Sequence, residues 1–271
     1  MKQLNLILSL LLICITANAA DMPDSTDVAN VTSEMTNAEE ATNNWGKKQK
    51  ESDFHLGLDL QTKYMWRGME MMTSEASPVL FPSVNYQKNG FYLYGMGGYS
   101  INGKYAEVDL GASYTCKALT IGINDYYYPT VDTNEDEYFS GGKHTGHWLE
   151  AVITYAPENI PLWITASNFF YGADKYTNEE GKEKQAYSTY IELGTYYDFL
   201  KSNRIALALG TALNKSCYNG YEKDFSICNV ELKYTYNLEF KNGWTLPLSA
   251  SYIYAPVRDK AFVNFSANIA F

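Results

Sequence analysis

Beyond Ile15 the sequence has no long hydrophobic run. A membrane-spanning helix needs about 20 consecutive apolar residues, so none is encoded there. A mature chain that crosses a bilayer must then do so as a closed β-barrel, the other way to pair every backbone polar group in lipid. Histidine is scarce, with only His55, His144 and His147, and cysteine is limited to Cys14, Cys116, Cys217 and Cys228. Neither set has zinc-type spacing, and the chain lacks a P-loop and a dinucleotide fingerprint, so no metal or cofactor is expected. Basic residues run short: 21 Lys and Arg face 31 Asp and Glu, a net charge of −10. That balance excludes non-specific binding to nucleic acid.

The chain opens with MKQLNLILSLLLICITANAA. One lysine, an apolar core and the small residues Ala17 and Ala19 read as a secretory leader cut after Ala19. Cys14 invites a lipoprotein reading, but Ile13 is too bulky for the position before a lipidated cysteine. Residues 20–52 are rich in Asp, Glu, Ser, Thr and Asn with almost no aromatics, the composition of a disordered acidic tail.

From Asp53 onward the character changes. Aromatics make up 15% of the chain, with 24 tyrosines, although mean hydropathy is negative at −0.31. The stretch DFHLGLDLQTKYMWRG, Asp53–Gly68, alternates Phe54, Leu56, Leu58, Leu60, Tyr64 and Trp66 with His55, Asp59, Gln61, Lys63 and Arg67. Only Thr62 and Met65 fall out of step. Read as one strand it is about twice the usual length, which suits a wall with lipid on one face and water on the other.

Eleven further alternating segments follow, at 78–87, 91–101, 105–118, 119–129, 147–156, 162–172, 186–199, 204–214, 227–240, 245–255 and 261–271. Short connections, among them Lys88-Asn89-Gly90, Pro157-Glu158-Asn159, Lys201-Ser202-Asn203 and Lys241-Asn242-Gly243, alternate with long polar ones at 130–146, 173–185 and 215–226. The pattern predicts an all-β, antiparallel, up-and-down transmembrane barrel of about 12 strands. With the N-terminal tail in the periplasm, the periplasmic turns are all short and the three long loops face outward. Phe54, Tyr86, Phe91, Tyr155, Tyr197 and Phe271 are expected in the inner aromatic girdle, and Trp66 and Tyr99 in the outer one. The expected setting is the outer membrane of a Gram-negative bacterium, with outer-membrane lipid and lipopolysaccharide as neighbours.

The run 64–100, YMWRGMEMMTSEASPVLFPSVNYQKNGFYLYGMGGYS, resembles the start of the TorF-like porin family. There an aromatic-x-Arg-Gly ends the first strand, a Pro-bearing strand follows, and Gly-Phe-Tyr opens the third. The matching residues are Tyr64 or Trp66, then Arg67, Gly68, Pro78, Gly90, Phe91 and Tyr92. The sequence departs from that pattern at Thr62-Lys63, where Ser-Asp is expected, and in its acidic tail. The resemblance implies an outer-membrane barrel with a channel role and no established substrate.

Candidate chemistry lies on the lumen side. Alternation turns Glu107, Asp109, Glu150, Glu192, Glu231 and Lys233 inward, together with Asp59, Lys63 and Arg67 from the first segment. Carboxylates in a dry interior cost several kcal/mol each unless paired, so the lumen is wet or cross-braced. Acidic residues opposed to Arg67, Lys63 and Lys233 would set a field across a constriction that favours cations. Arg67 either orients anions and pairs carboxylates at the mouth or bonds loop carbonyls at a strand end. Tyr126, Tyr128, Trp148, Trp163, Phe169, Tyr171 and Tyr190 are expected on the lumen side as a stacking track or as filling. Cys217 and Cys228 bracket a loop and are spaced to allow a disulfide.

The reading is a porin-type barrel for passive diffusion of small hydrophilic solutes through a charged lumen. A non-conducting surface or scaffold barrel is the alternative, acting through its loops or tail. An outer-membrane lipid hydrolase is a third, and it would need a Ser–His pair. His144, His147, Ser140 and Glu150 are the only residues near such a site, so the chain is read as no enzyme. Neither the solute nor the oligomeric state is encoded in the pattern.

Overall fold

The computed structural model describes residues 53–72, 76–129, 138–142 and 145–270. The leader, the acidic tail, His144 and Phe271 lie outside them. Twelve long strands close on themselves: β1 (Phe54–Gln61), β4 (Val79–Lys88), β5 (Phe91–Ser100), β6 (Ala106–Cys116), β7 (Leu119–Tyr127), β8 (His147–Tyr155), β9 (Leu162–Gly172), β12 (Thr189–Phe199), β13 (Asn203–Ala212), β14 (Ser226–Glu239), β15 (Thr245–Ala255) and β16 (Lys260–Ala270). All neighbours run antiparallel, and β1 meets β16 with Gly57 opposite Ala270 and Gln61 opposite Ser266. Closure leaves no open edge, which is what a sheet in lipid requires.

Two small hairpins lie outside this ladder. One pairs β2 (Met65–Trp66) with β3 (Met69–Glu70), and the other pairs β10 (Lys175–Thr177) with β11 (Glu183–Gln185) in the loop after β9. The tight turns use residues that tolerate left-handed backbone: Asn89 and Gly90 have φ of 50 and 81, the pair of positive values a two-residue type I′ turn needs.

The outer face carries the belt the alternation foretells. Leu56, Leu93, Leu110, Leu193, Leu207 and Phe265 are each about half exposed. Such a surface around a whole barrel would be a large apolar patch in water and is a proper boundary in lipid. Near the short-turn end the belt closes with aromatics, and Phe54 packs on Tyr86 and Phe91 on Tyr114 at ring separations of 4.9 and 4.7 Å. On the inner face, rings cover glycines of the next strand. A Cβ on Gly111, Gly194 or Gly210 would stand 2.0 Å from Tyr94, Trp163 or Tyr190 respectively. Glycine there gives each ring a bed against the wall.

Two strand assignments change. The first barrel strand ends at Gln61, not Gly68, so Trp66 is no outer-girdle residue: it is buried at 6% exposure among lumen aromatics. Tyr171 also leaves the lumen set. The β8–β9 register shifts between Leu149 and Glu150, so that Phe169 opposes Glu150 while Tyr171 opposes lipid-facing Leu149. This bulge at Phe170 inverts the alternation for the last residues of β9.

Candidate functional site

After Gln61 the chain turns into the barrel. Asn264 on β16 catches the bend, its Oδ1 accepting from the Thr62 hydroxyl at 3.1 Å and the Lys63 amide at 3.0 Å. The hairpin β2–β3 then closes through Trp66 opposite Met69, leaving Arg67 and Gly68 as its two-residue tip. Their φ values are 48 and 77, again the type I′ signature. Gly68 is required twice over, because a Cβ there would meet the Cys228 carbonyl of β14 at 1.9 Å. Arginine in this conformation is uncommon and strained, so the tip needs compensation from what it touches.

That compensation comes from across the lumen. From β1, the strand β9 is six steps away around the twelve-strand ring in either direction. Arg67 reaches it: its Nη1 donates to Ser167 Oγ on β9 at 2.9 Å, and its guanidinium pairs both oxygens of Glu150 on neighbouring β8, Nη2 to Oε2 at 3.2 Å. The two side chains are 5% and 0% exposed. Arg67 Nη1 also donates to the Tyr218 hydroxyl at 2.6 Å, and the guanidinium lies 4.7 Å from the Tyr190 ring, 4.8 Å from Trp66 and 5.6 Å from Tyr218. A bidentate, charge-assisted pair inside an aromatic cage is a strong arrangement for arginine. The hairpin is thus a strut from one wall to the opposite one.

Its flanks fill the space between. Trp66 packs on Tyr126, Phe169 and Tyr218, while Tyr64 packs on Phe81 and Tyr105 and donates to Glu107 at 3.4 Å. Tyr218 comes from a 3-10 turn, Cys217–Asn219, in the loop between β13 and β14. The buried apolar cluster of the molecule therefore sits inside the barrel at the long-loop end.

The other lumen charges surround this strut. Glu107 is buried and accepts from Tyr105 at 2.8 Å, and Glu192 accepts from Trp163 Nε1 at 3.0 Å and Tyr190 at 2.8 Å. Asp59 accepts from Gln61 at 2.7 Å, and Asp109 is buried on β6. Lys63 pairs Glu70 within the hairpin at 2.6 Å and lies 5.3 Å from the Phe262 ring. Glu231 and Lys233 face inward on β14, opposite Ala208 and Ala206, and are only partly buried. The structure brings Arg67 and Glu150 into one contact and ties Lys63 to Glu70 instead of a wall carboxylate.

Cys217 and Cys228 do not form the disulfide their spacing allows. Both are free thiols, Cys217 in the 3-10 turn and Cys228 facing inward on β14 with no exposed surface. Burial pushes the Cys217 thiol well above its ordinary pKa. His147 has its Nδ1 on the Asp125 carboxylate at 2.8 Å and its Nε2 on the Tyr138 carbonyl. Both ring nitrogens are thus engaged by oxygen atoms. Among the described residues no group of three or more His, Cys, Asp or Glu is placed to hold a metal ion.

The hairpin and its seat were missing from the sequence reading. The signal was present in the phase break at Thr62 and Met65, and in the surplus of apolar residues Met69, Met71 and Met72 after the turn.

No protein-family model matches the chain, so the resemblance to TorF-like porins rests on the quoted run, and no curated protein matches it in sequence. Solved structures similar to it include the KdgM porin, at 8% identity over 80% of this chain and 98% of that one, with a TM-score of 0.43. The NanC porin gives 12% identity over 79% and 97%, with a TM-score of 0.45. Salmonella typhi OmpF, solved in complex with daunomycin, gives 6% over 80% and 96%, with a TM-score of 0.37.

Proposed function

We propose that this chain is an outer-membrane porin-type barrel through which small hydrophilic solutes diffuse, with the hairpin strut setting the narrowest section. The observation that carries this reading is the inversion of the wall, apolar outside and polar or ionised inside around the closed ring. Lys63 and Glu70 keep 26% and 18% of their side-chain surface exposed, which supports water reaching the strut. Inward carboxylates, Asp59, Glu70, Glu107, Asp109, Glu150, Glu192 and Glu231, outnumber the cations Lys63, Arg67, Lys233 and Arg258, and an acidic lumen favours cations.

The test is the reversal potential of the refolded protein in a planar bilayer under a potassium chloride gradient. The expected sign is that of cation preference, reduced in Glu231→Gln. Anion preference, or no effect of Glu231→Gln, would contradict the role given to the lumen charge. A non-conducting barrel that acts through its loops or acidic tail is favoured by one observation, the wall-to-wall reach of Arg67. It predicts folded protein that carries no current. In either case the short turns are assigned to the periplasm, with the long loops facing lipopolysaccharide.

A further inference from the structure

The seat that holds Arg67 is fastened without Arg67. Glu150 accepts from Tyr126 at 2.9 Å, and Tyr126 in turn takes a bond from Asn124 at 3.1 Å, both on β7. Tyr190 is held by Glu192 at 2.8 Å and bedded on Gly210. Tyr218 is anchored through its carbonyl, which accepts from Arg258 at 2.8 Å. Ser167 belongs to the β9 ladder. The strut, by contrast, is an insertion between β1 and β4, which pair directly from Phe54 to Gln61 without it. Its own backbone pairing joins Met65 with Glu70 and Trp66 with Met69, and the Met71 amide donates to the Tyr64 carbonyl at 3.1 Å.

If the strut withdraws, the seat remains as a carboxylate between two tyrosine rings. That carboxylate has then lost its charged partner, so the emptied seat attracts a cation. Its geometry selects which. Both Glu150 oxygens face the occupant, Ser167 Oγ and the Tyr218 hydroxyl add acceptors at the edge, and the rings of Tyr190 and Tyr218 flank it. A planar, forked guanidinium satisfies two carboxylate oxygens at once, which a compact ammonium cannot.

We propose that this is a guanidinium-binding site occupied by the protein's own Arg67. On this view a guanidinium-bearing solute in the lumen competes with Arg67 for Glu150 and thereby displaces the strut. The proposal deepens the channel reading and rests on it for its consequence, while the seat itself can be tested without current.

The probe is methylguanidinium, with methylammonium as the control of equal charge. A site of one carboxylate and two rings corresponds to roughly millimolar affinity for so small an ion, so about 10 mM is the useful concentration. In the wild type, methylguanidinium is expected to raise the mean current at least about twofold, as Arg67 is displaced. In Arg67→Ala the seat is empty, so the current starts high and methylguanidinium lowers it by about half or more. Methylammonium should do neither. The same ions are also followed by the melting temperature of Arg67→Ala in detergent, which methylguanidinium should raise. Should Arg67→Ala fail to fold, the variant with residues 63–70 replaced by a Gly-Ser linker carries the same empty seat.

A melting shift without current in any variant would keep the site and overturn the channel reading. Current without any distinction between the two ions, in melting or conductance, would overturn the site and keep the channel.

Discussion

At the scale of the residue, Arg67 ties the extension of the first strand to the opposite wall. It is held in a left-handed conformation that disfavours arginine and is 5% exposed, and Glu150 makes that tolerable. Removing one partner of a buried pair leaves an uncompensated charge and costs about 3–5 kcal/mol. Glu150→Ala is therefore expected to lower the urea midpoint of the barrel in detergent, and Arg67→Ala with Glu150→Ala together should cost less than the sum of the two. Simple additivity would show that the pair is not coupled. Gly68→Ala places a Cβ against the Cys228 carbonyl at 1.9 Å. It should lift the tip from β14 and quench or shift the fluorescence of buried Trp66; an unchanged spectrum would contradict the close approach. The importance of Arg67 was visible in the sequence through its Arg-Gly turn, but its partner was not. Glu150 is 83 positions away, and which strand faces β1 follows only from the strand count and the closure of the ring.

At the scale of the element, the alternating segments marked all twelve wall strands because each must keep one face in lipid. Their short turns were equally plain, since Asn89-Gly90 and Asn242-Gly243 are among the strongest local turn signals. The strut was not legible in the same way. Aromatics at Tyr64 and Trp66 continue the apolar rhythm whether they meet lipid outside or rings inside, so periodicity alone cannot separate the two. Bulges were hidden for a related reason: nothing in Phe169-Phe170-Tyr171 says which residue is the extra one. Two register shifts, at Phe170 on β9 and Cys228 on β14, border the seat and the tip, as bulges often border functional sites. Cys217 in its 3-10 turn and Cys228 on β14 give an element-scale prediction. Cys228 has no exposed surface and the Cys217 thiol is pushed well up by burial. A maleimide at pH 7 should therefore label neither in the folded barrel and both after denaturation. A mobility change on a non-reducing gel would reveal a disulfide and contradict the free-thiol assignment.

At the scale of the whole molecule, the chain combines two solvents in one wall. Lipid meets the leucine, valine and aromatic belt outside, and the interior divides along the barrel axis. Its long-loop end is packed by the strut with Tyr126, Phe169, Tyr190 and Tyr218. Towards the short turns the inward residues include the small polar Ser113, Thr154, Thr165, Thr235 and Ser249 beside the rings of Tyr92 and Trp163. Composition foretold the barrel, because polar average hydropathy with abundant tyrosine suits a wet lumen and aromatic rims. It could not foretell the packed end, since the same tyrosines serve a rim, a lumen lining or a plug.

The most direct measurement is the single-channel conductance of the refolded protein beside a variant whose residues 63–70 are replaced by a Gly-Ser linker. Since β1 and β4 pair without the strut, the variant should fold as the same barrel. The wild type is expected to pass small currents and the variant currents several times larger, roughly as the open section of a barrel grows when its filling is removed. Equal conductance in the two proteins would contradict a strut that sets the narrowest section of the lumen.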